Sequence, residues 1–168
     1  VDFEAGYVAS SEDLCANAAA LAAAGAVGVN FEDANPKSGA MVSISDQAGR
    51  IAALKHATNG DLFVNARIDV FLKEPDPTRL DALVDMAIER GRAYAEAGAD
   101  GFFIPGTQDP AVIGAVCKAS QVPVNFMSDL TSITLAELAA FGVKRVCAGP
   151  APWFAFTSWL TGQARRYQ

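Results

Sequence analysis

The strongest constraint in this sequence is an alternation. Short apolar, β-prone runs are separated by longer stretches with helical spacing, and the pattern recurs six times in 168 residues. Residues 26–31, 62–69, 101–104, 122–127 and 143–148 read as buried strands, and Val1-Asp2-Phe3-Glu4 reads as a further strand at the start. The helices between them have recognisable ends. Ser10 with Asp13, Ser43 with Asp46 and Thr134 with Glu137 have the spacing of capping boxes. Asp76-Pro77 and Asp109-Pro110 each offer a cap followed by a first-turn proline, and Gly25, Asn59-Gly60, Gly98 and Gly142 supply stops. In the longest helix Leu80, Leu83, Val84, Ala87, Ile88, Gly91, Tyr94 and Ala95 fall at helical spacing. Asn35-Pro36-Lys37-Ser38-Gly39 breaks regular structure and reads as a loop.

Six successive βα units imply a parallel sheet with helices outside, either an open doubly wound sheet or most of a barrel. The polar residues favour the barrel. Asp2, Glu4, Glu32, Asp33, Arg67, Asp69 and Asn125 sit at or near the C-terminal ends of several different strands, where barrels assemble their sites. An open sheet would concentrate such residues at one switch point. The length suits one domain spanning residues 1–168.

Composition narrows the partners. A net charge of −6 with no basic run argues against nucleic acid or an anionic membrane surface. No apolar stretch reaches the roughly 18 residues needed to span a bilayer, and no leader of the secretory type is visible. Cys15, Cys117 and Cys147 lack metal-ligand spacing and are expected to be free thiols in a reducing cytoplasm.

In a strand alternate side chains share a face, so Asp2 and Glu4 are expected to point one way and Val1 and Phe3 the other. Two carboxylates at a strand's end make a hard-oxygen site suited to Mg²⁺, and Gly6 lets the chain turn away beside a ligand. The same residues also fit an exposed edge strand with two solvated acids. Asp33 and Asp69 either support a site from behind or are solvated strand ends. Arg67 either meets a substrate or forms a structural salt bridge across the barrel mouth.

Four segments carry a resemblance: Asp2-Phe3-Glu4-Ala5-Gly6-Tyr7, the run from Gly25 to Asp33, Ala66-Arg67-Ile68-Asp69, and Tyr94-Ala95-Glu96-Ala97-Gly98-Ala99-Asp100. In order and spacing they resemble the isocitrate lyase/phosphoenolpyruvate mutase superfamily. The resemblance implies a (β/α)8 TIM-barrel type of α/β fold, of which this chain covers about six βα units, strands 3–8, plus a C-terminal helix. The first two strands and the loop after the second would lie outside the sequence. It also implies an Mg²⁺-dependent enzyme acting on a small α-oxo or 2-hydroxy acid through an enolate, breaking or forming a C–C or P–C bond. A protein that keeps the Mg²⁺ site and binds an oxo acid without turnover is the alternative.

Carried over by position, the resemblance makes Asp2, Glu4 and Glu32 the metal-binding carboxylates, although family members more often have Asp where this chain has Glu4. It gives Arg67 and Glu32 catalytic roles. It also places Arg67, Asn125 and Lys37 against the substrate, Lys37 from a loop one residue shorter than in the mutases. The isocitrate and methylisocitrate lyases carry a Lys-Lys/Arg-Cys-Gly-His segment on that loop. Here Asn35-Pro36-Lys37-Ser38-Gly39 stands in its place, so neither of those activities is expected.

The last segment holds Trp153, Phe154, Phe156, Trp159 and Leu160, more aromatic surface than one helix stripe requires. Helical spacing puts 153, 156 and 160 on one face and sets 154 and 159 apart from it. Two apolar faces suggest two partners, and the resemblance implies a homodimer or homotetramer in which this helix is exchanged.

Overall fold

A computed structural model describes residues 1–8, 10–35, 37–73, 77–129 and 131–167. The strands β1 (Gly28–Glu32), β2 (Phe63–Arg67), β3 (Gly101–Ile104), β4 (Val124–Met127) and β5 (Arg145–Cys147) form one sheet, all parallel and in sequential order. That order separates the two architectures left open by alternation. A doubly wound sheet reverses its strand order at a switch point, whereas a barrel adds each strand beside the last. The fold is therefore of the (β/α) barrel type.

The helices α1 (Ser11–Ala23), α2 (Ile44–Ala57), α4 (Leu80–Glu96), α5 (Pro110–Ala119) and α6 (Leu135–Phe141) pack side by side in chain order. A short α3 (Val70–Lys73) follows β2, and α7 (Ala151–Ala164) ends the chain. Strand parity fixes which side chains meet the helices. Val29, Phe31, Val64, Ala66, Phe102, Ile104, Val124 and Phe126 join Leu14, Ile51, Leu54, Leu83, Ile113, Val116 and Leu138 in one core. The opposite parity points into the barrel and carries the polar residues Asn30, Glu32, Asn65, Arg67 and Asn125 beside Phe63, Phe103 and Met127.

The local signals hold at four helix starts. Ser10, Ser43, Asp109 and Thr134 each accept a backbone N–H as N-caps, and Thr134 with Glu137 closes a full capping box. The longest helix differs. It begins at Leu80 behind a 3₁₀ turn over Pro77–Arg79, with no side-chain cap, and the expected cap Asp76 lies outside the described residues. The loop after β1 is a small hairpin: Ala34 bridges Met41 in antiparallel fashion, and Asn35 Oδ1 accepts the Lys37 and Ser38 N–H groups at 2.9 and 3.0 Å.

The expected strand at the start is corrected. Its pairing survives as a single parallel bridge between Asp2 and Asn30. Glu4 has φ of 46° and opens a turn, so it does not continue a strand in register with Asp2. The sheet-side residue is Phe3, buried against Phe31 with ring centroids 5.9 Å apart. Gly6 completes the turn at φ 86°, where an added Cβ would clash with Leu14 Cδ1.

Candidate active site

Parallel register carries the site residues into one row. Glu32 pairs with Arg67, Arg67 with Phe103, Phe103 with Asn125, and Asn125 with Arg145. Register partners share a face, so all five side chains start from the barrel's inner wall. The sequence placed Glu32, Arg67 and Asn125 separately; the sheet sets them in one line.

Arg67 is the hub of that line. Its Nη1 lies 2.9 Å from Glu32 Oε2, while Nε and Nη2 donate to the two oxygens of Asp69 at 2.7 and 3.3 Å. Asp69 is buried, and its grip fixes the plane of the guanidinium. Burial opposes the charge on Arg67, but the hydrogen bonds and charge of Asp69, with Glu32 and Asp2 beyond, outweigh it and raise the arginine's pKa. Burial likewise raises the Glu32 carboxyl. Arg67 pulls it back, and Asp69, Asp2 and Glu4 push it further up.

The backbone brings the first carboxylates to this edge. The Phe3 N–H donates to Asn30 O at 3.0 Å, and the Glu32 N–H donates to Glu4 O at 2.8 Å. From behind, Arg50 holds the turn: its guanidinium donates to Ala5 O and lies 4.9 Å from the centre of the Phe31 ring. Gln47, fully buried, accepts from Arg50 at 2.9 Å and donates to Glu32 O at 3.1 Å. Sequence reasoning missed both residues, which sit on the α2 face that meets β1.

Asp2 and Glu4 are exposed, and among the described residues no three carboxylate, histidine or cysteine side chains gather closely enough to hold a metal ion alone. The expected trio is thus not a closed cage, because Glu4 leaves the strand and Glu32 is drawn to Arg67. The donor set still fits Mg²⁺. All three side chains offer hard oxygen, both Asp2 and Glu4 act electrostatically on Glu32, and Mg²⁺ takes one or two protein carboxylates with water and substrate completing its shell.

Asn125 is 2% exposed, and both its amide oxygen and nitrogen lack a hydrogen-bond partner among the described residues. A buried amide with neither atom satisfied costs free energy, so Asn125 calls for a polar partner from outside the described residues. Lys37 is exposed and makes no ion pair among the described residues, so the structure does not join it to Arg67 and Glu32. Asp33 and Asp69, left open by the sequence, are both buried and paired.

Residues 1–167 match the phosphoenolpyruvate phosphomutase family. A crystal structure of a provisionally assigned phosphonomutase from Burkholderia cenocepacia superposes with a TM-score of 0.91 at 42% identity, covering 100% of this chain and 68% of that one. An uncharacterised Mycobacterium tuberculosis protein is 33% identical over 92% of this chain and 55% of its own length. The 2-methylisocitrate lyase of Escherichia coli is 30% identical over 84% of this chain and 45% of its own. The chain spans about half the length of these curated relatives. Given the sequential parallel barrel and the match along nearly its whole length, the chain belongs to the phosphoenolpyruvate phosphomutase family.

Proposed function

We propose that this protein is an Mg²⁺-dependent enzyme that acts on a small α-oxo or 2-hydroxy acid through an enolate, breaking or forming a C–C or P–C bond. The observation that carries this reading is the row in which an oriented Arg67, a neighbouring Glu32 and an unsatisfied Asn125 face the same space. A guanidinium fixed in its plane suits a planar carboxylate or enolate, because it presents parallel N–H donors. The amide of Asn125 offers one donor and one acceptor to a second carboxylate or an oxo group. Burial raises the Glu32 carboxyl, and the pairing of its Oε2 with Arg67 fixes the side chain beside the substrate, with Oε1 the oxygen that would take or return a proton. Asp2, Glu4 and Glu32 would hold Mg²⁺. A bound ion there would stabilise the negative charge that develops on the C2 oxygen.

The relatives include a named lyase and a provisionally assigned phosphonomutase, which bracket C–C and P–C chemistry. Methylisocitrate lyase activity is set aside for this protein, because Asn35-Pro36-Lys37-Ser38-Gly39 lacks the cysteine-bearing segment. The exposed Lys37 supports the second reading, oxo-acid binding without turnover. A panel including oxaloacetate and phosphonopyruvate, run with and without a chelator, separates the two. Turnover abolished by chelation supports the enzyme, whereas binding without turnover on every substrate supports the alternative. Arg67→Lys keeps the charge and loses the fork, so affinity for oxalate, a stand-in for pyruvate enolate, should fall about ten- to hundredfold. Equal affinities would remove Arg67 from the site.

A further inference from the structure

Behind the row, on the helix side of the sheet, lies a buried charge cluster that the proposed chemistry does not use. Asp33 and Tyr94 are 0% exposed and Arg90 is 6% exposed. Asp33 Oδ2 accepts from Arg90 Nη1 at 2.8 Å and from the Tyr94 hydroxyl at 2.9 Å, and that hydroxyl accepts from the same Nη1 at 2.8 Å. Asp33 Oδ1 accepts the backbone N–H of Asp69 at 3.0 Å. Arg90 Nη2 donates to Val42 O at 3.1 Å, and the Val42 N–H donates to Asp33 O at 2.9 Å.

Stability alone does not account for this cluster. Burying an ion pair costs desolvation that its attraction barely offsets, and an aliphatic filling would pack between α4 and β1 at no such cost. Its connections are more informative. The amide held by Asp33 belongs to the residue whose carboxylate grips Arg67 at 2.7 Å. The carbonyl held by Arg90 is a foot of the hairpin that carries Lys37. One carboxylate therefore stands between helix α4, the loop and the orientation of Arg67.

We infer that Asp33, Arg90 and Tyr94 are positioning residues: through the Asp69 amide they set the angle at which Arg67 is presented, and through Val42 they tie that angle to the posture of the 34–41 loop. The inference rests on the reading of Arg67 as the group that takes the substrate's carboxylate, yet its first test needs no substrate. In ¹⁵N-labelled protein the Arg67 Nε–H signal, assigned by its loss in Arg67→Lys, reports the grip of Asp69. Asp33→Asn keeps the shape and an acceptor for the Asp69 amide but removes the charge, and should shift or broaden that signal. Tyr94→Phe removes one hydroxyl and should move it less in the same direction. If Asp33→Asn fails to fold, the Tyr94→Phe spectrum decides. The second test is oxalate titration. Asp33→Asn should weaken binding about tenfold in the parent, and change it less than about twofold in the Arg67→Lys background, where nothing remains to be positioned. An unmoved Nε–H signal in the folded variants, or effects that multiply across the two backgrounds, would overturn the inference. Failure of the parent to bind oxalate would instead count against the proposed substrate class, and the spectrum would still decide the positioning role.

Discussion

Asp129, in the turn after β4, shows how local hydrogen bonds set the behaviour of one group. The Ser132 hydroxyl donates to its carboxylate, and the backbone N–H groups of Ser132 and Thr131 each donate at 2.8 Å. Together they hold its pKa down to about 2, against an ordinary 3.8. Because the folded value is depressed, this contribution to stability is present above the unfolded pKa and is lost as pH falls through about 2. Asp129→Asn should therefore melt below the parent at neutral pH and converge with it at the acid end, as paired thermal scans would show. Equal melting temperatures at pH 7 would mean that the turn contributes nothing. Other acids were legible in the sequence, since Asp33 and Asp69 stood at strand ends and could be flagged as supports. Arg90 was not. It lies on the same helical stripe as Leu83, Ala87 and Tyr94, but its acidic partner is 57 residues away, and spacing along a helix says nothing of a partner on another element.

Among the elements, α4 packs closely on β3. Gly91 sits over Phe102, and an added Cβ would meet that ring at 2.9 Å. Gly91→Ala should accordingly destabilise the fold by about 1–3 kcal/mol despite alanine's better helix propensity. Denaturant unfolding measures this, and a neutral or stabilising effect would show that α4 can lift off the sheet. The helical stripe and most caps were readable because they are local: Ser10, Ser43, Asp109 and Thr134 each act within three residues of themselves. The first strand was misread for the converse reason, and the start of α4 is 3₁₀ where a first α-helical turn was expected. Alternation cannot foresee that Glu4 takes a positive φ where Arg50, 45 residues beyond Ala5, holds the Ala5 carbonyl. Nor does a proline at position 77 reveal that the turn it opens is 3₁₀ before it becomes α.

For the whole molecule, barrel topology was legible because each connection leads through a helix from one strand to its neighbour, and polar strand ends recur around the sheet. The aromatic surface of α7 was legible in kind but not in detail. No residue of α7 is buried, and Trp153, Phe154, Phe156, Trp159 and Leu160 are 49–64% exposed. Trp159 does not stand apart as its spacing suggested. Phe156 lies between Trp153 and Trp159, with centroids 6.4 and 6.3 Å away, making one aromatic ladder. We propose that a second copy of the chain covers it in a homo-oligomer. Sedimentation should then find the parent at least dimeric at micromolar concentration and Phe156→Glu monomeric, and a monomeric parent would sink the proposal. Both tryptophans of the chain lie on this helix, whereas the barrel wall carries tyrosine and phenylalanine. Intrinsic tryptophan emission will therefore be blind to the barrel. It should shift to the blue when the ladder is covered, and a melt followed at that wavelength will time the release of α7 rather than the loss of the core.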